Sequence, residues 1–201
     1  MSRPDPVILA FDTSAAHCAA ALLSGTDIQS RAEPMARGQA ERLMPMLEEL
    51  LEEAGVEWRT LDAVGVGIGP GNFTGLRISV AAARGIAQGL GVPAIGVSTF
   101  DAAAFQTADR PHVVVPAPRG MVYLRQGHGT DTSVKLISEV QIPSKNTLRA
   151  AEVPPTTLVC NIAKISAARL HLAPVPPAPM YVRPADAAPS SEPPVVILDD
   201  A

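Results

Sequence analysis

The stretch from Leu61 to Leu90 restricts this chain more than any other. Leu61 to Ile68 reads as a buried strand, Gly69-Pro70-Gly71-Asn72-Phe73-Thr74-Gly75 as a turn, and Leu76 to Leu90 as a helix. A strand feeding a helix through a glycine turn points to an α/β fold. The helix is crowded with Ala81, Ala82, Ala83, Gly85, Ala87 and Gly89. Glycine costs helix propensity, and small residues compensate by letting a neighbouring element approach closely.

The same turn is the physical recipe for an anion site, because free N–H groups and the positive dipole end of a helix point at the ligand. Neither standard phosphate motif fits. The lysine of a P-loop is absent, and Gly65-Val66-Gly67-Ile68-Gly69-Pro70 lacks the last glycine of the dinucleotide fingerprint. Gly69, Gly71, Asn72 and Thr74 therefore stand as a candidate nucleotide or phosphate loop. Asp12, Thr13 and Ser14 join them at the end of another strand, where an aspartate can orient a metal-bound water or a phosphate. The plainer alternative is a tight strand-to-helix turn capped by Thr74 or Asn72, with Asp12 as a turn residue.

Around this centre the pattern continues. Val7 to Phe11 and Cys18 to Leu23 are apolar runs forming a hairpin, and a third strand covers about Ile28 to Ala32. Gln39 to Ala54 is a helix with Leu43, Met46, Leu47, Leu50 and Ala54 at three- and four-residue steps, ended by Gly55. Met44 and Leu51 widen its apolar stripe beyond one contact, and Pro45 predicts a kink or an irregular first turn. A wide stripe suggests two packing partners, one inside the chain and one outside. Ala94 to Val97 is a strand, after which Ser98 caps a helix over Thr99 to Thr107.

The second half carries weaker signals. Val113 to Val115 and Met121 to Arg125 flank a turn-rich segment and predict a hairpin. Val134 to Ile142 reads as a strand, Leu148 to Ala151 as a helix, Leu158 to Cys160 as a strand and Ile162 to Leu170 as a helix. From His171 onward prolines are dense, which predicts an extended tail touching the surface around Met180-Tyr181-Val182-Arg183 and fraying after Ala187. The sequence shows no internal repeat.

Composition narrows the function. Of 201 residues, 3% are aromatic and the formal net charge is −4, so the chain lacks both the basic excess that neutralises phosphates and the rings that stack on bases. If RNA is involved, another subunit should hold most of it. Cys18 and Cys160 form no CxxC and read as free buried thiols in a reducing compartment. Neither a signal peptide nor an apolar run of the roughly 20 residues that cross a bilayer is visible, which makes the cytoplasm the expected location. The sequon at Asn72-Phe73-Thr74 is then without consequence.

Catalytic motifs are scarce. His17, His112, His128 and His171 are scattered, with no His-x-x-x-His or His-Glu-x-x-His, so no metal ligands are assigned. No nucleophile elbow occurs, although a Ser/His/Asp triad assembled in space remains open. Glu48, Glu49, Glu52 and Glu53 read as a solvated helix face.

Taken together, Ile8-Leu9-Ala10-Phe11-Asp12-Thr13-Ser14, Glu41-Arg42-Leu43-Met44-Pro45-Met46-Leu47 with Leu50-Leu51, Leu61-Asp62-Ala63-Val64, Gly69-Pro70-Gly71-Asn72-Phe73-Thr74-Gly75-Leu76-Arg77 and Gly96-Val97-Ser98-Thr99-Phe100 resemble, in order and spacing, the TsaB family (also called YeaZ). The resemblance is dense over residues 7 to 105. Beyond residue 110 it rests on the hairpin around Gly120-Met121-Val122-Tyr123 and on Tyr181-Val182-Arg183-Pro184.

The resemblance implies an actin-like, ribonuclease-H-like (ASKHA) α/β fold with two lobes, the second trimmed. Residues 1–106 would form the N-terminal lobe with the Gly-rich loop and partner-binding helices, residues 107–186 a smaller C-terminal lobe, and residues 187–201 a disordered Pro-rich tail. It implies a subunit of the bacterial tRNA threonylcarbamoyladenosine machinery that is no enzyme on its own. In that machinery TsaC makes threonylcarbamoyl-AMP. TsaD transfers the threonylcarbamoyl group to adenosine 37 of tRNAs reading codons that begin with A. TsaB pairs with TsaD, and the ATPase TsaE joins them.

The resemblance further implies self-association when TsaD is absent, no cofactor held alone, and ATP or ADP at the interface with the partner. It places that interface on the two N-lobe helices, here Leu43, Met44, Leu47, Leu51, Arg77, Ala81 and Arg84; the alternative is that some of these fill the internal core. One departure stands out. Where many members carry Asp-Ala-Arg before the hairpin glycine and Glu after it, this chain has Pro116-Ala117-Pro118 and Met121. Two carboxylates and a basic residue are therefore missing from the cleft side of the second lobe. An independent ATPase or kinase-like phosphotransferase, and an M22 glycoprotease-like peptidase, are the competing readings.

Overall fold

The computed structural model describes residues 5–107, 112–128, 131–173 and 175–182. Three antiparallel strands open the chain: β1 (Val7–Asp12), β2 (His17–Ser24) and β3 (Asp27–Pro34). Two parallel strands extend the sheet beyond β1, namely β4 (Ala63–Gly67) and β5 (Ala94–Val97), giving the order β3-β2-β1-β4-β5. Three helices intervene or follow: α1 (Gln39–Ala54), α2 (Phe73–Leu90) and α3 (Thr99–Ala104).

A second sheet begins with another meander, β6 (His112–Ala117), β7 (Met121–His128) and β8 (Asp131–Ser138). It adds β9 (Thr147–Arg149) parallel to β6, in the order β8-β7-β6-β9. The second sheet thus repeats the first four strands of the first in order and direction and stops one strand short. A meander extended by parallel strands on the far side of its first strand is the actin-like, ribonuclease-H-like arrangement. The repetition is one of topology, invisible in the residues themselves.

The first sheet is covered on both faces. Alternating side chains of β1 divide between two cores, as the pleat requires. Leu9 and Phe11 pack with Leu43, Met46, Leu47 and Leu50 of α1 and Val80, Ala83 and Ala87 of α2. Ile8 and Ala10 face the other way, toward helix α4 (Pro155–Arg169), whose Val159, Ile162 and Ala163 are buried there. This second face is paved with Ala10, Ala19, Ala21 and Ala63, small enough for α4 to lie close. A helix late in the chain therefore completes a core begun by its first strand.

Polar contacts fasten the lobes. Arg125 of β7 and Arg169 of α4 both reach the carboxylate of Asp101 on α3, at 2.6 and 3.4 Å. Asn161 donates to the Ala102 carbonyl at 2.8 Å.

Several expectations change. Leu158 to Cys160 belong to α4, which Pro155 opens from a first-turn position where its missing N–H costs nothing. Leu148 and Arg149 pair with β6, and the backbone turns into a 3-10 segment only at Ala150–Glu152. The helix after Ser98 ends at Ala104, and the strand read over Val134 to Ile142 is Asp131–Ser138. Helix α1 carries Pro45 within its span from Gln39 to Ala54. Glu49 and Glu53 are not simply solvated. Arg31 bonds both, and Arg42 bridges Glu49 to Glu33, tying α1 to β3. The hydrogen bonds from Arg42 hold the Glu33 and Glu49 carboxyls below the ordinary glutamate range. Arg183 and the Pro-rich residues 187–201 lie outside the described residues.

Candidate functional site

The carboxyl ends of β1 and β4 meet at a cleft of about 920 Å³ between the lobes. Asp12, Ser14, His17, Gly71, Asn72 and Thr74 line its first-lobe side. Two loops build this wall. The loop after β1 and the loop before α2 press together so closely that a Cβ at Gly75 would overlap the Thr13 carbonyl. The Asn72 N–H donates to the Ser14 carbonyl at 2.6 Å, and the Thr13 hydroxyl donates to the Gly75 carbonyl at 2.7 Å. Gly75 is thus required for close approach rather than for an unusual dihedral.

Asn72 is the N-cap of α2, its side-chain oxygen accepting from the Gly75 N–H at 2.9 Å. The capping alternative therefore holds, with Asn72 rather than Thr74 in the role. Of the candidate loop residues, Asp12, Ser14, Gly71, Asn72 and Thr74 share the cleft wall, whereas Thr13 and Gly69 do not line it.

Asp12 is 5% exposed. Its Oδ2 accepts from the Ser14 N–H at 3.2 Å and the Ser14 hydroxyl at 2.9 Å, and lies 3.0 Å from His17 Nε2. Its Oδ1 is buried without a partner among the described residues, packed where a side chain at Gly67 would have to go. Gly67 is the space that lets the carboxylate turn inward.

The order of contacts matters chemically. Aspartate sits between serine and histidine, so no imidazole is placed to take the serine proton, and the open possibility of a Ser/His/Asp triad is not realised by these three residues. Sequence reading missed His17, which has no histidine partner. The available signal was its place as the first residue of β2, where a short hairpin returns it to the end of β1.

The opposite wall is apolar: Val115, Pro116, Ala117, Pro118 and Val153. Strand β6 is the counterpart of β1, and each has six residues, so Ala117 occupies the place that Asp12 holds in the first lobe. Among the described residues nothing on that wall bears a carboxylate. Among the described residues no group of three or more His, Cys, Asp or Glu side chains lies together to hold a metal. Also among them, no helix is long and apolar enough to cross a membrane.

The outer surface of the first lobe is formed by α1 and α2. Leu43, Leu47 and Leu51 are at most 3% exposed and hold α1 to the sheet, so the wide stripe serves the internal core and only Met44 of the four reaches the surface. On α2 the outward ridge runs through Phe73, Arg77, Ala81 and Arg84, all exposed. The Arg77 guanidinium lies 3.9 Å over the Phe73 ring, and its Nε donates to the Tyr181 hydroxyl at 3.1 Å. Tyr181 stacks on Phe73 with centroids 5.3 Å apart, while the Met180 N–H donates to the Ile68 carbonyl. The tail thus touches the surface where expected. Of the two free cysteines, Cys18 is buried and Cys160 half-buried, and burial pushes the Cys18 thiol up to about 11.

A family model described as "TsaD: tRNA N6-adenosine threonylcarbamoyltransferase" matches residues 31–144. The chain is 32% identical over 146 residues to the tRNA threonylcarbamoyladenosine biosynthesis protein TsaB of Escherichia coli, covering 66% of this chain and 63% of that protein. To TsaB of Haemophilus influenzae it is 36% identical, covering 59% and 52%. These matches span less than two thirds of either relative. Two solved structures from Pseudomonas aeruginosa share the fold along their whole length. One, with similarity to peptidase YeaZ, has a TM-score of 0.73 at 27% identity and covers 89% of this chain. The other, YeaZ, has 0.69 at 26% and covers 88%. With a family model over more than half its sequence, and TsaB and YeaZ proteins among its relatives, the chain belongs to the TsaB (YeaZ) family.

Proposed function

We infer that this chain is a non-catalytic partner subunit in the biosynthesis of threonylcarbamoyladenosine in tRNA. It would pair with TsaD and position it for transfer to adenosine 37 of tRNAs reading ANN codons, with TsaE joining the pair. The observation that carries the reading is the asymmetry of the cleft. Among the described residues its one buried carboxylate, Asp12, is engaged through Oδ2 by Ser14 and His17. Its other charged groups, Arg37 and Glu41, are exposed on the first-lobe side, and the facing wall of Pro116, Ala117 and Pro118 offers no charge. A nucleotide phosphate with its cation needs carboxylates and cationic donors around it. The tRNA would be held by the complex rather than by this acidic chain, and ATP or ADP would sit at the interface with the partner.

The surface for pairing is the outward side of α1 and α2. Ala81 lets another helix approach closely between Arg77 and Arg84, and Met44 supplies a soft apolar contact. In the partner's absence the same side would serve self-association.

Size-exclusion chromatography with light scattering tests this, on the chain alone and mixed with TsaD from the same organism. A complex is expected, lost in Ala81→Asp, whose position is exposed and whose fold should survive. Leu47→Asp would be uninformative, since it places a charge in the core. No complex under any nucleotide condition would overturn the pairing. ATP hydrolysis by the purified chain alone would favour the phosphotransferase reading.

A further inference from the structure

A second groove lies at the far end of α2 from the cleft, where it meets the outward ridge only at Arg84. It encloses about 530 Å³, inside the ~300–1,000 Å³ range of sites that hold a ligand. Val92, Pro93 and Ala94 form one side; Leu170, Leu172 and Pro177 form the other. Leu172 is 55% exposed, and Val175, close by in the chain, is 78% exposed. Arg84 stands at the rim, and among the described residues no hydrogen bond or ion pair engages it.

The sequence beyond Val182 contains one feature that matches this groove. Val195-Val196-Ile197-Leu198 is a run of four aliphatic residues in a stretch otherwise dominated by proline, alanine and serine, and Asp199-Asp200 follow it directly. A run of this length left in water is costly unless something covers it. The groove supplies an apolar floor, and Arg84 supplies the charge opposite to the two aspartates.

Reach permits the match. Tyr181 is anchored on Phe73 at the start of α2. Phe73 and Arg84 are separated along the helix by about 16 Å, at ~1.5 Å per residue. The residues from Val182 to Val195 extend up to about 40 Å, at ~3.1 Å per residue for a proline-rich chain. We propose that Val195–Leu198 dock into the groove beside Arg84, with Asp199 and Asp200 against its guanidinium, as an intramolecular plug. The plug would share Arg84 with the outward ridge of α2, and its test reads the groove on the chain alone, with no partner present.

Amide hydrogen exchange on the full chain tests this, comparing it with Ile197→Asp/Leu198→Asp. Both changes fall beyond the described residues, and a urea midpoint matching that of the parent chain checks that folding is kept. Exchange over residues 88–94 is expected to be at least threefold faster in the double variant and unchanged over β1 and β2. Arg84→Asp should accelerate the same amides less, and adding Asp199→Arg/Asp200→Arg to it should restore protection. Identical exchange in the chain and the double variant would overturn the proposal. Protection that grows with protein concentration, together with a dimer in sedimentation that the double variant loses, would overturn it in favour of a second copy in the groove.

Discussion

The two sheets begin with the same four-strand arrangement and end differently at the cleft. In the first lobe β1 ends on Asp12, a buried carboxylate held by a serine and a histidine. In the second, β6 ends on Pro116-Ala117, and among the described residues no polar side chain faces back. The scaffolds also differ in thickness. Helices cover the first sheet on both faces, whereas the outer face of the second buries, among the described residues, Val114, Val122 and Leu124, with Ile137 and Ile142 partly covered. A duplicated fold can keep its strand order while one copy loses the groups that make a two-sided site. Strand pairing depends on backbone hydrogen bonds and apolar alternation, and neither needs the residue at the strand end.

The largest effect that would sharpen this contrast is in the first lobe. Leu47→Asp places a carboxylate in a site that is 0% exposed and should cost more than about 4 kcal/mol, enough to abolish a cooperative transition in urea. The same kind of change on the thin outer face, Val122→Asp, should cost less, about 2 kcal/mol, because the carboxylate can reach water there. Equal losses would mean that the two lobes are equally well packed. Next is Asp12→Ala, which strips His17 and Ser14 of their shared acceptor and should cost about 1–3 kcal/mol by denaturant titration. A stabilised variant would show that the orphaned Oδ1 outweighs the bonds made by Oδ2.

Smaller still is Ala117→Asp, expected to change stability by less than about 0.5 kcal/mol. Its value lies in calorimetry: if magnesium nucleotide binds this variant and not the parent, the missing second-lobe carboxylate is what disables the cleft. The smallest effect concerns the Arg31 and Arg42 network. Glu33 and Glu49 have lowered pKa values because Arg42 donates to them, so their contribution is present at neutral pH and is lost as pH falls below the ordinary glutamate value near 4.5. Melting temperature should decline through that acidic window, and Arg42→Met should flatten the decline. An unchanged acid profile in Arg42→Met would assign the loss to other groups.

The first lobe was legible because its signals are periodic and long. Leu43, Met46, Leu47 and Leu50 repeat at helical spacing, and the glycine turn punctuates β4 and α2. The second lobe was read less well for physical reasons. Thr156-Thr157-Leu158-Val159-Cys160 has strand-forming composition, yet burial against the first sheet makes it helical. Strand β9 pairs through only three residues, too short to show alternation.

At the site, Asp12 and the glycine loop were visible as neighbours because both lie at strand ends. The His17 contact was not, since it depends on how the first hairpin closes. The width of the α1 stripe read as a surface signal. The structure spends most of it inside, because α1 packs against the β1 and β2 side chains and needs Leu43, Leu47 and Leu51 together.

The position of α4 has a consequence during synthesis. The first sheet is complete once β5 ends at Val97, but the helix that covers its alanine-paved face finishes only at Arg169. At roughly 5–20 residues per second, the ribosome takes about 4–14 s to supply it. For that interval the nascent chain carries a finished sheet with one bare apolar face. Holding that face apart from other chains is work for a chaperone, and fragments ending before α4 should accumulate as aggregates.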